Sequence, residues 1–444
     1  MYTPDQRTEQ ANAEAVRRMA AAEPALVDIR LAGDALPDFK GQILLHAGPP
    51  VAYACMCPPM RSAAEAAVVY EGWAPDIGAA SALLGSGGVE LAPCHSRQAV
   101  GTMTGIITPA MPVFVVENEE EPHNVAFGRV TEGFGKGLRF GNQTPENLAR
   151  LRWVRDVLAP SLRAAMQHLP RARIPLRPLL ADALTMGDEL HMRNAASTAL
   201  LVKMLCAPLA EALNGQPVLP EVLRFLTERN DQFFLDMLLA GAKAIADAGR
   251  GVPGSSVVVC LARNGVEVGL QVSGLPDRWF TAPAGVATGT FFPGFGLADA
   301  NPDIGDSAIM ETIGLGNMAI AAAPGIVPFL GRSAYTEAQN LTRAAYDIAV
   351  GTHPEIRIAV RDYQGVPLGI DVRKVVELSY VPGIDTAIAP KDPAVGSIIG
   401  AGISHPPLEV FRSAVTALGE APGVAATRSF GGTNDSGGAA TSDG

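Results

Sequence analysis

Met186-Gly-Asp-Glu-Leu-His-Met-Arg-Asn194 gathers Asp188, Glu189, His191, Arg193 and Asn194 into seven positions. Apolar residues bound it, with Leu179, Leu180 and Leu184 before and Leu200, Leu201 and Leu205 after. Gly187-Asp188 reads as a helix break followed by a fresh N-cap. A helix starting there puts Asp188, His191 and Asn194 on one face by i, i+3 spacing, with Glu189 and Arg193 as an i, i+4 pair beside it. A cap, a salt bridge and a solvated face are the ordinary explanation of such a pattern. The apolar flanks favour instead a polar cluster at the mouth of a buried helix.

Outward from this stretch, helical spacing covers Pro145–His168, Pro178–Thr185, Asp188–Asn214, Pro220–Glu228 and Asp231–Gly249, with Pro or Gly at most junctions. Pro208 is expected to kink or divide the third of these. Before this region, strands at Ala25–Leu31 and Gln42–His46 alternate with helices at Met60–Tyr70 and Pro75–Leu84. Beyond it, Asn264-Gly265 between apolar runs is the strongest hairpin signal in the chain. Strand character is also expected over Gly369–Leu378. The predicted fold class is α/β, with two α/β domains (1–144 and 251–426) flanking a central helical domain (145–250). The Gly/Ser/Thr/Asp-rich tail, 427–444, is expected to be disordered.

Hydrophobic content of 48% and charged content of 18% fit a folded, enzyme-sized protein with ample core. The formal charge of −11 argues against a nucleic-acid partner, which requires a basic footprint. No charge-free apolar run of membrane-spanning length and no signal peptide are read, so no membrane partner is expected. Five cysteines without zinc-ligand spacing point to a reduced, cytoplasmic protein.

Two further stretches carry chemistry. Asp299-Ala-Asn-Pro-Asp-Ile-Gly-Asp-Ser307 sets Asp299, Asp303 and Asp306 within eight positions, and Glu311 follows. Such acids repel unless a cation, basic partners or shared protons compensate. They are the candidate metal ligands, and carboxylate richness favours Mg²⁺ over Zn²⁺ for any metal held there; no cofactor is otherwise indicated. Thr131-Glu-Gly-Phe-Gly-Lys-Gly-Leu-Arg-Phe-Gly141 lacks the ending of a P-loop and the spacing of a dinucleotide fingerprint. Glu132, Lys136 and Arg139 on its Gly-permissive backbone suit either an anion site or a simple turn.

Laid out in order, several segments resemble the YlbE-like, AllG-type family over about Ala11 to Leu418. They include His46-Ala-Gly-Pro-Pro50, Pro93-Cys-His95, Leu138-Arg-Phe-Gly141, Met186-Gly-Asp-Glu189, Ala262-Arg-Asn-Gly265 and the Asp299–Ser307 stretch. The chain departs from the family pattern at Met192, Ala387, Pro390 and Ser397. The resemblance implies one subunit of a multi-component oxamate carbamoyltransferase in allantoin-type nitrogen catabolism, exchanging oxalurate plus phosphate for oxamate plus carbamoyl phosphate. It also implies partner subunits, and a homo-oligomer is expected. Alternative readings are an amidohydrolase cleaving a C–N bond of a ureido or cyclic imide substrate, and a non-catalytic scaffold subunit.

Carbamoyl transfer needs an anion site, a polarised carbonyl and a group that manages the amide proton. Arg139, Arg193 and Arg263 suit phosphate or carboxylate. His191 is the candidate acid/base, oriented by Glu189 or Asp188. Asn194 and Asn264 suit a ureido group, with Lys136, Glu132 and His95 as further substrate contacts. In the hydrolase reading Cys94 is the nucleophile beside His95. The whole expectation requires the two acid-bearing stretches to converge with arginine on one hollow.

Overall fold

The structure, a computed structural model, describes residues 4–133, 135–228 and 230–420; the predicted tail lies outside them. Helices and strands alternate along the chain, so the class is mixed α/β. The sheets are small and mostly antiparallel. The largest has five strands in the order Ala99–Val100, Asn124–Arg129, Pro112–Asn118, Pro24–Leu31 and Ile174–Pro175. Its central strand, Pro-Val-Phe-Val-Val-Glu-Asn118, buries Val113, Phe114 and Val116, as its β-branched and aromatic residues favour.

The edge strand Ile174–Pro175 comes from the segment predicted to be wholly helical. The helix Leu235–Ala248 packs across Pro112–Asn118 and Asn124–Arg129. The main apolar core therefore joins all three predicted segments: Val116 lies in it with Leu180, Ile245, Ile309 and Leu368.

A second, antiparallel sheet orders Leu275–Pro283, Glu267–Val272, Val258–Asn264 and Ile304–Gly305. Its predicted hairpin is present, and the Asn264 Oδ1 accepts from the N–H groups of Val266 and Glu267 at 2.9 and 2.7 Å. A three-stranded sheet joins Thr288–Phe291, Gly400–Ser404 and Ile384–Ile388. Strand character over Gly369–Leu378 is corrected. The strand Gln364–Ile370 ends there, and Asp371 caps a helix, Val372–Leu378, by accepting from the Arg373 N–H at 2.9 Å.

The stretch 186–194 is also corrected. It is an ordered turn between the helices Leu176–Thr185 and Ala195–Ala212, with φ of 98° at Gly187 and 72° at Leu190. Asp188 does cap the second helix, but from nine residues away, accepting from the Ser197 N–H at 2.8 Å. No shared helical face exists, and the Arg193 guanidinium pairs with Asp188 at 2.8 Å, only its backbone N–H reaching the Glu189 carboxylate. Pro208 lies inside the second helix. That helix, with mean hydropathy 1.3, is long and apolar enough to cross a membrane; its Leu201, Leu205 and Leu209 are buried in the main core.

Candidate active site

The turn is held inward by the 303–317 stretch. The Gly316 N–H donates to the Glu189 carbonyl at 2.7 Å. His191 thereby lies against Glu311, its Nδ1 2.8 and 3.0 Å from the two carboxylate oxygens, with both side chains buried. Glu311 also accepts from the N–H groups of Asn317 (3.1 Å) and Asp385 (3.2 Å). A carboxylate held by three donors is fixed in place, and it fixes the imidazole in turn. The orienting acid is thus Glu311. Glu189 accepts instead from the backbone N–H groups of Met192 and Arg193 and shapes the turn.

Three acids crowd around this one imidazole. Burial raises the Glu189 carboxyl to about 7, against the opposing pull of the Arg193 and Met192 N–H groups. Burial, with Glu189 and Glu311 nearby, raises Asp385 well above the usual carboxylate range. Asp385 accepts from the Asn317 amide at 2.7 Å, and its Oδ2 has no hydrogen-bond partner. In both acids burial favours the protonated form.

In front of His191 lies a hollow of about 30 Å³, walled by Thr102, Arg139, Gln232, Ser307 and Thr386 among others. Asp236, whose carboxyl burial raises to about 6, fixes Thr102 by accepting from its N–H (2.8 Å) and hydroxyl (3.2 Å). Arg139 is 7% exposed and gives one bond to the Gly133 carbonyl at 3.1 Å, and its Nε has no partner. Behind it, Arg129 and Arg139 outweigh burial and hold Glu132 below the usual carboxylate range. Arg139, Phe140, Met192, Gln232 and Ile398 also wall a second cavity of about 1040 Å³. Lys136, Arg193 and Asn194 line this outer cavity, with Asp231 as its acid.

The structure brings together His191, Arg139, Arg193, Asn194 and Lys136 at this cleft. It sets the other candidates elsewhere. Arg263 is a saturated buried group, paired with Asp303 (2.9 and 3.2 Å) and bonded to the Gly305 carbonyl at 2.8 Å. It supports the wall of the hollow, because Asp303 in turn accepts from the Thr386 hydroxyl at 2.9 Å. Asn264 is spent on the hairpin and on the Pro49 carbonyl. Glu132 braces arginines. His95 is buried next to Asp306 (3.4 Å) and against the Trp279 ring, and burial lowers its pKa. Cys94 is buried and donates to the Gly105 carbonyl at 3.1 Å, and burial raises its thiol well above the usual range, an environment that disfavours the thiolate.

The three candidate metal ligands each have a protein partner. Asp299 accepts from the Gly296 N–H, Asp303 pairs with Arg263, and Asp306 accepts from the Gly48 and Gly101 N–H groups. Among the described residues no three His, Cys, Asp or Glu are grouped to hold an ion. Sequence reasoning missed Gln232, Thr102, Thr386, Asp385 and the role of Glu311. For Glu311, its place at the end of the second acid-rich stretch was the available signal.

Fold and cleft together define a mixed α/β protein with an arginine- and lysine-lined cleft beside a buried imidazole–carboxylate pair. A family model described as oxamate carbamoyltransferase subunit AllG matches residues 89–307. The chain is 42% identical to the oxamate carbamoyltransferase subunit AllG of Escherichia coli K12 over 94% of its own length and 98% of the relative's. It is 40% identical to the uncharacterized protein YahG of the same organism, over 93% of this chain and 86% of that one. A crystal structure of a conserved protein of unknown function from Enterococcus faecalis V583 superposes with a TM-score of 0.91 at 42% identity, covering 94% of this chain and 99% of that one. The chain belongs to the AllG family.

Proposed function

We propose that this chain is the substrate-binding subunit of a cytoplasmic carbamoyltransferase that acts on a ureido acid such as oxalurate with phosphate. The observation that carries the reading is the buried Arg139, with an uncommitted Nε, which lines both the small hollow in front of the His191–Glu311 pair and the outer cavity that has room for substrate. In phosphorolysis a phosphate oxygen bonds to the ureido carbonyl carbon, the C–N bond to the oxamate nitrogen breaks, and that nitrogen takes a proton. Arg139 holds the anion. His191, with Nδ1 held by Glu311, passes the proton lost by the attacking hydrogen phosphate to that nitrogen through Nε2, and so ends each turnover in the protonation state in which it began. The Ser307 hydroxyl, which also walls the hollow, is the donor available to the carbonyl oxygen as it gathers charge, the Thr386 hydroxyl being committed to Asp303. All five cysteines are unpaired, in keeping with a reducing compartment.

The test is carbamoyl phosphate formation from oxalurate and phosphate by the chain together with its partner subunits. His191→Asn is expected to lower kcat by about 10²–10⁴-fold, the usual contribution of a general acid/base. Near-normal turnover by that variant removes His191 from the chemistry. Ammonia release without phosphate supports the hydrolase instead, and no change with any cleft variant supports the scaffold.

A further inference from the structure

The outer cavity is far larger than a short ureido acid requires. Its volume of about 1040 Å³ reaches the upper end of the range for sites that enclose ligands of drug size. Its lining combines two chemistries. Lys136, Arg139 and Arg193 are its cations. Phe292, Phe295 and Phe329 also line it, with the Phe292 and Phe329 ring centroids 6.0 Å apart and the rings tilted by 40°. Phe295 lines the cavity and is 37% exposed. Phe292 and Phe329 are only partly buried, Phe329 packing against the core around Ile326 and Leu330, and aromatic rings left partly open on a cavity wall mark a place for an apolar group.

Two buried polar atoms at the same wall indicate what the other end of the ligand carries. The Arg139 Nε is a donor without an acceptor, and the Asn194 Oδ1 is an acceptor without a donor. Asn194 is 1% exposed, and its amide nitrogen is already committed to the His191 carbonyl at 3.0 Å. Buried groups of this kind are costly unless a partner arrives. A ligand that satisfies both offers an oxygen to Arg139 and an N–H to Asn194. An N-carbamoyl carboxylic acid has both.

We propose that this cleft takes an N-carbamoyl acid bearing an apolar, aromatic substituent, its carbamoyl and carboxylate groups toward Arg139 and Asn194 and its ring among Phe292, Phe295 and Phe329. The inference rests on the carbamoyltransferase reading and narrows its substrate class. It is tested by titrating the full-length chain with oxalurate, N-carbamoylglycine and N-carbamoyl-L-phenylalanine. Burying the ring predicts that the phenylalanine derivative binds about tenfold or more tighter than the glycine derivative. In Phe329→Ala and in Phe295→Ala that ratio falls toward one; Phe295 is half-exposed, so its truncation leaves the fold intact. Equal affinities in the unaltered chain, or a ratio that survives both substitutions, overturn the proposal. Oxalurate binding with no aromatic advantage overturns it alone, whereas no binding by any of the three compounds overturns the carbamoyltransferase reading with it.

Discussion

Glu189 shows how a single buried side chain couples this site to pH. Its carboxyl ionises near its ordinary 4.5 in the unfolded chain and at about 7 in the fold, because burial disfavours the charge. Between these values the folded chain keeps a proton that the unfolded chain has lost. The stabilisation is complete below about 4.5 and is lost as pH rises through about 7. Asp385, raised for the same reason, acts in the same direction. Glu189→Gln keeps one acceptor oxygen for the Met192 and Arg193 N–H groups and has no proton to lose. The substitution is therefore expected to flatten the pH dependence of stability over this window, by on the order of 1 kcal/mol per pH unit. Urea unfolding at several pH values reads the difference between the two proteins. Parallel curves would show that Glu189 titrates normally.

At the scale of elements, the decisive contact is between two turns. Gly316, at φ 58°, lies so close to the turn carrying His191 that a Cβ there would come within 2.1 Å of the Glu311 Oε1 and 3.1 Å of the His191 Cβ. Gly316→Ala must push Glu311 off the imidazole. The expected outcome is a loss of kcat of about a hundredfold or more, with a stability cost of only about 1–3 kcal/mol, as for other overpacked sites. A wild-type kcat in the assembled enzyme would break the link between Glu311 and catalysis. This contact also explains what the sequence could and could not reveal. The Asn264-Gly265 hairpin was legible because its backbone requirement is local. The polar density around His191 was legible because charge amid leucines is unusual. The helix start at Asp188 was misread: a cap pattern looks alike whether the acid caps its own turn or, as here, reaches Ser197 across a turn. Leu190 takes a left-handed conformation that only its surroundings enforce. Thr102, Thr386 and Gln232 are ordinary neutral residues, and only the fold brings them to the hollow.

For the molecule as a whole, the helix Leu235–Ala248 sets the terms of folding. Thirteen of its fourteen residues are buried, so it has no solvent face of its own. A helix buried on every side, here with Asp236 and Lys243 taken in along with its apolar residues, is stable only when surrounded. Here the surroundings are the sheet built from 24–129 and the helix Ile309–Thr312, with Ile309, Met310 and Ile313 in the same core. The segment 145–250 cannot bury this surface alone, and neither flanking segment is complete without it. The full chain is therefore expected to unfold in one cooperative step. Its three tryptophans make this measurable, since Trp73, Trp153 and Trp279 fall one in each predicted segment. Three variants, each keeping a single tryptophan, should give urea transitions with the same midpoint, coincident with the loss of far-ultraviolet circular dichroism. An isolated 145–250 fragment should show no cooperative transition at all. Distinct midpoints for the three tryptophans, or a fragment that melts sharply, would mean that the shared core is a contact between independent domains. The cleft would then lie between bodies able to move apart, instead of being a preformed hollow in one folding unit.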